Sequence, residues 1–273
     1  MASVSKSIAG VLALDLDERD LIDLDQPTAA YIPGLPRAHA HTLGQTATMR
    51  AGIGHYVDHS TPDNPPYFTA QDAVEELWSV PPVRPIGQFG YSTHSWTYLA
   101  AGIEGALGDD IFDIFEEEWR GRYGLGSIRS EERDLYDPER SEIYNTDNSL
   151  IEDRDDLTWK VLGGGLEGSA RDVARLFDRV QRGQVLGTAA LEDFWTPVIG
   201  TTGYGYGVNR TNNWSCTSRV GKSGGWTGAN SFLLMYPELK VTIVVLTNRR
   251  YGGHNAGQIA DTIGSYIRST ECP

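Results

Sequence analysis

The chain has 273 residues, of which 40% are hydrophobic, enough to bury a sizeable core and to exclude a disordered or fibrous protein. Its 23 basic residues against 37 acidic ones leave a formal charge of -14, which repels nucleic acid and anionic membrane surfaces and excludes a polyanionic partner. No run approaches the roughly 20 apolar residues of a membrane span, and MASVSKSIAG lacks the charged-then-apolar layout of a signal peptide.

The first predicted element is an amphipathic helix from Ser3 to Leu16, with Val4, Ile8, Val11, Leu12 and Leu16 at helical spacing. The polar run DERDLIDLDQP ends it, and proline-rich loops follow at Tyr31 to Pro36 and at Thr61 to Pro66. Thr69 with Asp72 three residues on opens a helix through Ala73, Leu77 and Trp78. Further helices are expected at about Ser95 to Leu107 and Asp110 to Trp119. Residues 129–160 are charge-rich and weakly periodic, which reads as a surface excursion. Ser169 and Asp172 start a helix with Val173, Leu176, Phe177 and Val180 inward and Gly183 as its stop. Strands follow at YGYGVNR, TSRVGKSG, NSFLLMY and KVTIVVLTN, the last two joined by a turn at Pro237 to Leu239, before a closing helix with Ile259, Ile263 and Ile267 on one face. Helices first and an antiparallel sheet backed by a helix afterwards make an α+β layout. It divides into a mostly helical lobe, 17–165, and a sheet-and-helix lobe, 166–273, within a single domain, 1–273.

Three short segments carry chemistry. Ser3 and Lys6, in ASVSK, stand one helical turn apart, so the lysine can take the proton of the serine hydroxyl. Desolvation and the positive end of a helix both favour the neutral amine such a step needs. FGYSTHSW places Tyr91, Ser92 and Thr93 after a Pro/Gly loop and before a helix, and in RVGKSGGW the residues Lys222, Ser223 and Gly224 end an apolar strand. Ordered in this way, the SxxK, YxN-like and KTG-like elements resemble the signature of penicillin-binding proteins and serine β-lactamases. With tyrosine in the middle motif, the sequence is similar to the branch of class C β-lactamases, D-alanyl-D-alanine carboxypeptidases and family VIII esterases. LDLDQPTAAYIPGLP, AGIGHY, VLGGGLEGSARDVARLF, the YGYGV strand and the hairpin ending in LTNRR fall in that family's order, so the resemblance covers nearly the whole chain.

The resemblance implies a β-lactamase/transpeptidase-like fold and a serine hydrolase acting at an ester, amide or lactam carbonyl, with no metal or cofactor and a small-molecule or peptide substrate. Ser3 would be the nucleophile, Lys6 its proton acceptor or relay, and Tyr91 general base and then general acid. Lys222 would keep Tyr91 partly ionised and attract a substrate carboxylate; Ser223 stands where the family has threonine. The oxyanion would lie between the backbone amides of Ser3 and Gly225, with Gly224 and Gly225 letting the strand approach the substrate. Thr93 departs from the family's asparagine and cannot make both of that amide's contacts, which favours short-chain esters over β-lactams. The alternative is a catalytically silent binding or sensor relative that keeps fold and pocket; the intact set of Ser3, Lys6, Tyr91 and Lys222 speaks against it.

Family members place a helix and strands ahead of the nucleophile, which here is the third residue. The expectation is a truncated form whose apolar strand Val241 to Thr247 presents an uncovered edge through which copies self-associate. The resemblance implies a periplasmic or extracellular location. Cys216 and Cys272 are either one disulfide or two free thiols.

Other motifs have simpler readings. VGKSG fails as a P-loop because the first glycine of that pattern falls at Cys216. Gly163 to Gly165 reads as a turn, and His39 and His41, with no carboxylate or cysteine cluster, as part of a solvated loop. His94 fits pocket lining or packing equally, and among Trp96, Trp214 and Trp226 one or more could line an acyl pocket, though core positions are the commoner use. Asn209 and Asn213 begin glycosylation sequons, which matter only in a eukaryotic secretory host.

Overall fold

The structure, a computed structural model, describes residues 1–56, 67–131, 137–201, 203–211, 216–250 and 255–272. The expected loop at Thr61 to Pro66, and with it Trp214 and Asn213, lies outside these residues. One 3-10 turn, Ala2–Val4, leads into α1 (Ser5–Glu18), so Ser3 sits just ahead of the α-helix rather than inside it. α1 is not amphipathic in place, because every residue from Ser5 to Leu16 is buried. It is the central helix of the molecule, and its small residues let neighbouring backbone press in, as the Tyr206 carbonyl does at Gly10.

The helical part contains α2 (Leu43–Ala47), α3 (Ala70–Leu77), α4 (His94–Leu107) and α5 (Ile111–Phe115). Thr42 with Gln45 forms a full capping box on α2, a short helix that apolar spacing alone did not reveal. Thr69 caps α3 as expected, by accepting from the Asp72 amide. The helix expected over Asp110 to Trp119 is α only to Phe115 and continues as a wider π-turn, Glu116–Gly121. Glu104 of α4 is buried and accepts from the amides of Ala70, Gln71 and Ile111, so one carboxylate caps both α3 and α5.

β1 (Arg129–Ser130) and β2 (Leu166–Glu167) form a two-stranded antiparallel ribbon. Residues 137–156 between them contain no buried residue, in keeping with a surface excursion. At Leu157 to Lys160 the chain turns inward and is buried before α6 (Val161–Gly164), which corrects the reading of 129–160 as surface throughout. α7 (Ala170–Gln181) buries Val173, Leu176, Phe177 and Val180, is capped by Ser169, and ends before Gly183 at φ 66°, all as the pattern predicts. α8 (Thr188–Trp195), which the pattern did not signal, packs on α1.

The main sheet is an antiparallel meander in the order β3 (Asn209–Thr211), β4 (Arg219–Trp226), β5 (Ala229–Tyr236), β6 (Val241–Thr247). The strand expected at Tyr204 to Arg210 is mostly a turn, with Gly203 and Gly207 both at φ 80° and Tyr204 bridging back to Asn209. On β5, Leu233 and Met235 face the main core while Leu234 and Tyr236 face α9 (Ala256–Glu271). α9 buries Ala256, Ala260 and Gly264; of the three isoleucines expected on its inner face, Ile267 packs at the edge of this cluster, Ile259 is half-buried and Ile263 stays 42% exposed. Those small residues at four-residue spacing let the helix lie close on bulky Leu234 and Tyr236. Cys216 and Cys272 are joined as a disulfide, tying the approach to β4 to the end of α9. Among the described residues β6 is one of the sheet's two outer strands, with β3 the other, and of its residues only Ile243 is buried. The fold is α+β, as the order of elements predicts.

Candidate active site

Ser3 is fixed from both sides of its turn. Met1 N donates to Leu166 O at 2.7 Å, and Ser231 Oγ of β5 donates to Met1 O at 2.5 Å. Ala2 adopts φ 49°, a left-handed conformation uncommon outside glycine, so Ser3 follows a strained residue. One turn later Lys6 Nζ lies 3.1 Å from Ser3 Oγ and 3.1 Å from Thr93 Oγ1, and it donates to the carbonyl of Gly163 in α6. Three oxygens thus surround an amine with no solvent exposure.

Tyr91 comes from a segment held against residues 49–54: Gly90 N donates to Met49 O at 3.0 Å and Ser92 Oγ to Gly54 O at 2.7 Å. Ser92 Oγ also accepts from Ser95 N at the start of α4, so the tyrosine is carried on a rigid corner. Its hydroxyl is 2.9 Å from Ser3 Oγ and 3.5 Å from Lys222 Nζ. Burial lowers the Lys6 pKa from 10.5 to about 8, helped by the nearby charge of Lys222 and opposed by Tyr91. Burial alone would raise Tyr91, but the charges of Lys6 and Lys222 and hydrogen bonds from Ser3 and Lys6 prevail and hold it at about 7, down from 10.0. Near neutrality the phenol is partly ionised, and a base stands beside a serine hydroxyl.

β4 closes the other side. Its register with β5 sets Lys222 opposite Leu233 and Gly224 opposite Ser231. A Cβ on Gly224 would lie 2.9 Å from Ser3 N and 2.7 Å from Met1 O, so only glycine lets the strand lie this close to the turn that carries Ser3. A Cβ on Gly225 would meet nothing within 4 Å, and both Gly225 and Ser223 are exposed on the open side.

The sequence profile of the Beta-lactamase family matches residues 1–266. The chain belongs to the β-lactamase family. It is 23% identical over 274 residues to penicillin-binding protein 4* of Bacillus subtilis (strain 168), an alignment covering 91% of this chain and 60% of that protein. The chain therefore spans about 60% of the length of the curated relative it matches. Among solved structures, a penicillin-binding protein from Bacillus halodurans superposes with a TM-score of 0.81 at 19% identity, covering 97% of this chain and 85% of the other. A D-amino acid amidase from Ochrobactrum anthropi SV3 does so with a TM-score of 0.81 at 16% identity, covering 99% and 84%.

All eight residues that the β-lactamase family's motifs pointed to, Ser3, Lys6, Tyr91, Thr93, Lys222, Ser223, Gly224 and Gly225, lie on the helix end, corner and strand just described. Trp96 is core, whereas Trp226 belongs to an aromatic wall that the motifs did not reveal. In that wall Tyr56 contacts the rings of His55, His94, Trp159 and Trp226, and His55 contacts Tyr91. His94 is buried and serves packing. Lys160, read as surface, is only 2% exposed and its Nζ sits over the Trp226 ring. The signal for it was the aromatic neighbour in TWKVLGGG, next to the glycine run that meets Lys6. His39 and His41 are likewise buried, against Tyr98, with His39 Nε2 3.0 Å from Trp78 O and His41 Nδ1 2.9 Å from Thr28 Oγ1; the solvated-loop reading was wrong.

Proposed function

We propose that the protein is a serine hydrolase that works through an acyl-enzyme on Ser3. The observation that carries this reading is the convergence of Lys6 Nζ at 3.1 Å and Tyr91 Oη at 2.9 Å on Ser3 Oγ. Tyr91 in its ionised form takes the hydroxyl proton as Ser3 Oγ attacks the carbonyl carbon, and Lys6 holds both oxygens in line. The oxyanion is received by the backbone amides of Ser3 and Gly225, a donor pair of which each member is typically worth about 10²- to 10³-fold in rate. Tyr91 then hands the proton to the leaving group, and water repeats the sequence in reverse to free Ser3. Lys222 keeps Tyr91 ionisable and faces the cleft beside it.

The substrates are ester, amide or lactam carbonyl compounds. Short-chain esters are favoured over β-lactams, because the single hydroxyl of Thr93 already accepts from Lys6 and bonds Tyr56, leaving no amide to bind a substrate's carbonyl. The likeness to a D-amino acid amidase puts D-amino acid amides among the amides to be tried. The test is mass spectrometry after exposure to a fluorophosphonate, an activated ester and a β-lactam. An adduct on Ser3 with the first two, and slow or no labelling by the third, is expected; labelling elsewhere or nowhere overturns the reading.

A further inference from the structure

Among the described residues, Lys160 is a buried lysine that the mechanism leaves unused. Lys160 is 2% exposed, and its Nζ lies 2.9 Å from the Trp226 ring centroid, 5.1 Å from that of Trp159 and 5.9 Å from that of Tyr56. Trp226 follows Gly225 directly, and Tyr56 reaches back through His55 to Tyr91, so this cage adjoins the place where an acyl carbonyl would sit. Trp226 is itself fixed, its Nε1 donating to Asp155 at 2.8 Å. The groups acting on Lys160 are Lys6 and the Met1 amine, which repel its charge, and Glu131 and Asp155, which attract it through space without a hydrogen bond. Burying an amine among ring faces with no paired carboxylate is costly when it is charged, and a lysine with a long apolar stem is a poor choice for mere filling.

We propose that Lys160 is a specificity-determining residue that binds a carboxylate at the end of a short acyl group, the rings of Tyr56, Trp159 and Trp226 flanking the intervening methylenes. The proposal rests on the acyl-enzyme reading and names its acyl side: a half-ester or half-amide of a small dicarboxylic acid. Burial, with repulsion from Lys6, lowers the Lys160 pKa to about 6, so the amine is largely neutral at neutral pH. A carboxylate docked against it favours the ammonium, raises that pKa, and draws a proton from solution. The ammonium so formed lies over the Trp226 face, where the ring quadrupole stabilises it.

Two measurements test this. The first is calorimetric titration of the Ser3→Ala protein with glutarate and with the uncharged pentanamide at pH 7.5, in buffers of differing ionisation enthalpy. Glutarate is expected to bind more tightly, with uptake of a proton that disappears in Ser3→Ala/Lys160→Met. Equal affinities, or binding without proton uptake, overturn the proposal even if the Lys160 variant does not fold. The second compares kcat/KM for the 4-nitrophenyl half-ester of glutarate with that for 4-nitrophenyl pentanoate. The ratio favours the half-ester and falls at least about tenfold in Lys160→Met, the scale of one charge-assisted hydrogen bond; an unchanged ratio overturns the proposal. If neither ester is hydrolysed, the acyl-enzyme reading fails, while the glutarate titration still decides the role of Lys160.

Discussion

The surroundings of Lys6 and of Lys160 offer a buried amine opposite things. Around Lys6 stand three oxygens, those of Ser3, Thr93 and Gly163, together with the ionisable Tyr91, so the amine is hydrogen-bonded whichever charge it carries. Around Lys160 stand the faces of Tyr56, Trp159 and Trp226. Burial lowers both pKa values, but Lys6 stops at about 8 and Lys160 falls to about 6. The contrast teaches that burial alone does not set the role of a lysine. A proton carrier needs acceptors that are already in place, whereas an amine that lacks them is ready for a ligand that brings its own.

The sharpest way to break the contrast is at its centre. Ser3→Ala removes the hydroxyl oxygen on which Lys6 and Tyr91 converge, and the proposed mechanism expects turnover to fall by at least about 10³-fold with loss of covalent labelling. Undiminished turnover of any ester by that variant would end the account. Lys6→Ala and Tyr91→Phe are each expected to cost about 10²- to 10⁴-fold. In the proposed mechanism they act as one proton-transfer unit, so the double variant should lose little more than the worse single one. Losses that multiply, measured as kcat on one ester, would show two independent devices instead.

A smaller effect separates charge from contact. Lys222→Met takes a positive charge away from Tyr91, so the phenol pKa rises above about 7. Activity that depends on the phenolate grows as pH rises through that pKa, so the ascending limb of kcat/KM against pH is expected to move to higher pH, with about a tenfold loss at pH 7. A limb that stays near pH 7 in this variant would remove Tyr91 as its source. The smallest effect on chemistry is expected from the scaffold. Opening the Cys216–Cys272 disulfide, which closes a separation of 56 residues, should lower unfolding stability by up to ~4 kcal/mol in the chain-entropy picture. It should leave the pH profile at 25 °C in place, and a shift of that profile by the Cys216→Ser/Cys272→Ser protein would tie the site to the distant disulfide.

Much of this site could be read before any fold was known, and the reason is local geometry. Ser3 and Lys6 meet because one helical turn separates them, and Thr69, Ser169 and Gly183 mark helix ends through bonds to residues three positions away or through a backbone that only glycine adopts cheaply. Order along the chain then placed Tyr91 and Lys222 in the same motif set. What composition and spacing misread was which surfaces meet. Lys160 read as surface because it ends a charge-rich, weakly periodic stretch, and His39 and His41 read as solvated because no carboxylate or cysteine cluster joins them, yet all three are buried against aromatic rings that include ones from distant segments. α9 hides alanine and glycine while leaving Ile263 at 42% exposure, since a helix lying on Leu234 and Tyr236 needs closeness more than bulk. Spacing and turn chemistry act over a few residues and are written in the sequence itself. Burial depends on partners tens or hundreds of residues apart, and only the tertiary structure decides which of them arrive.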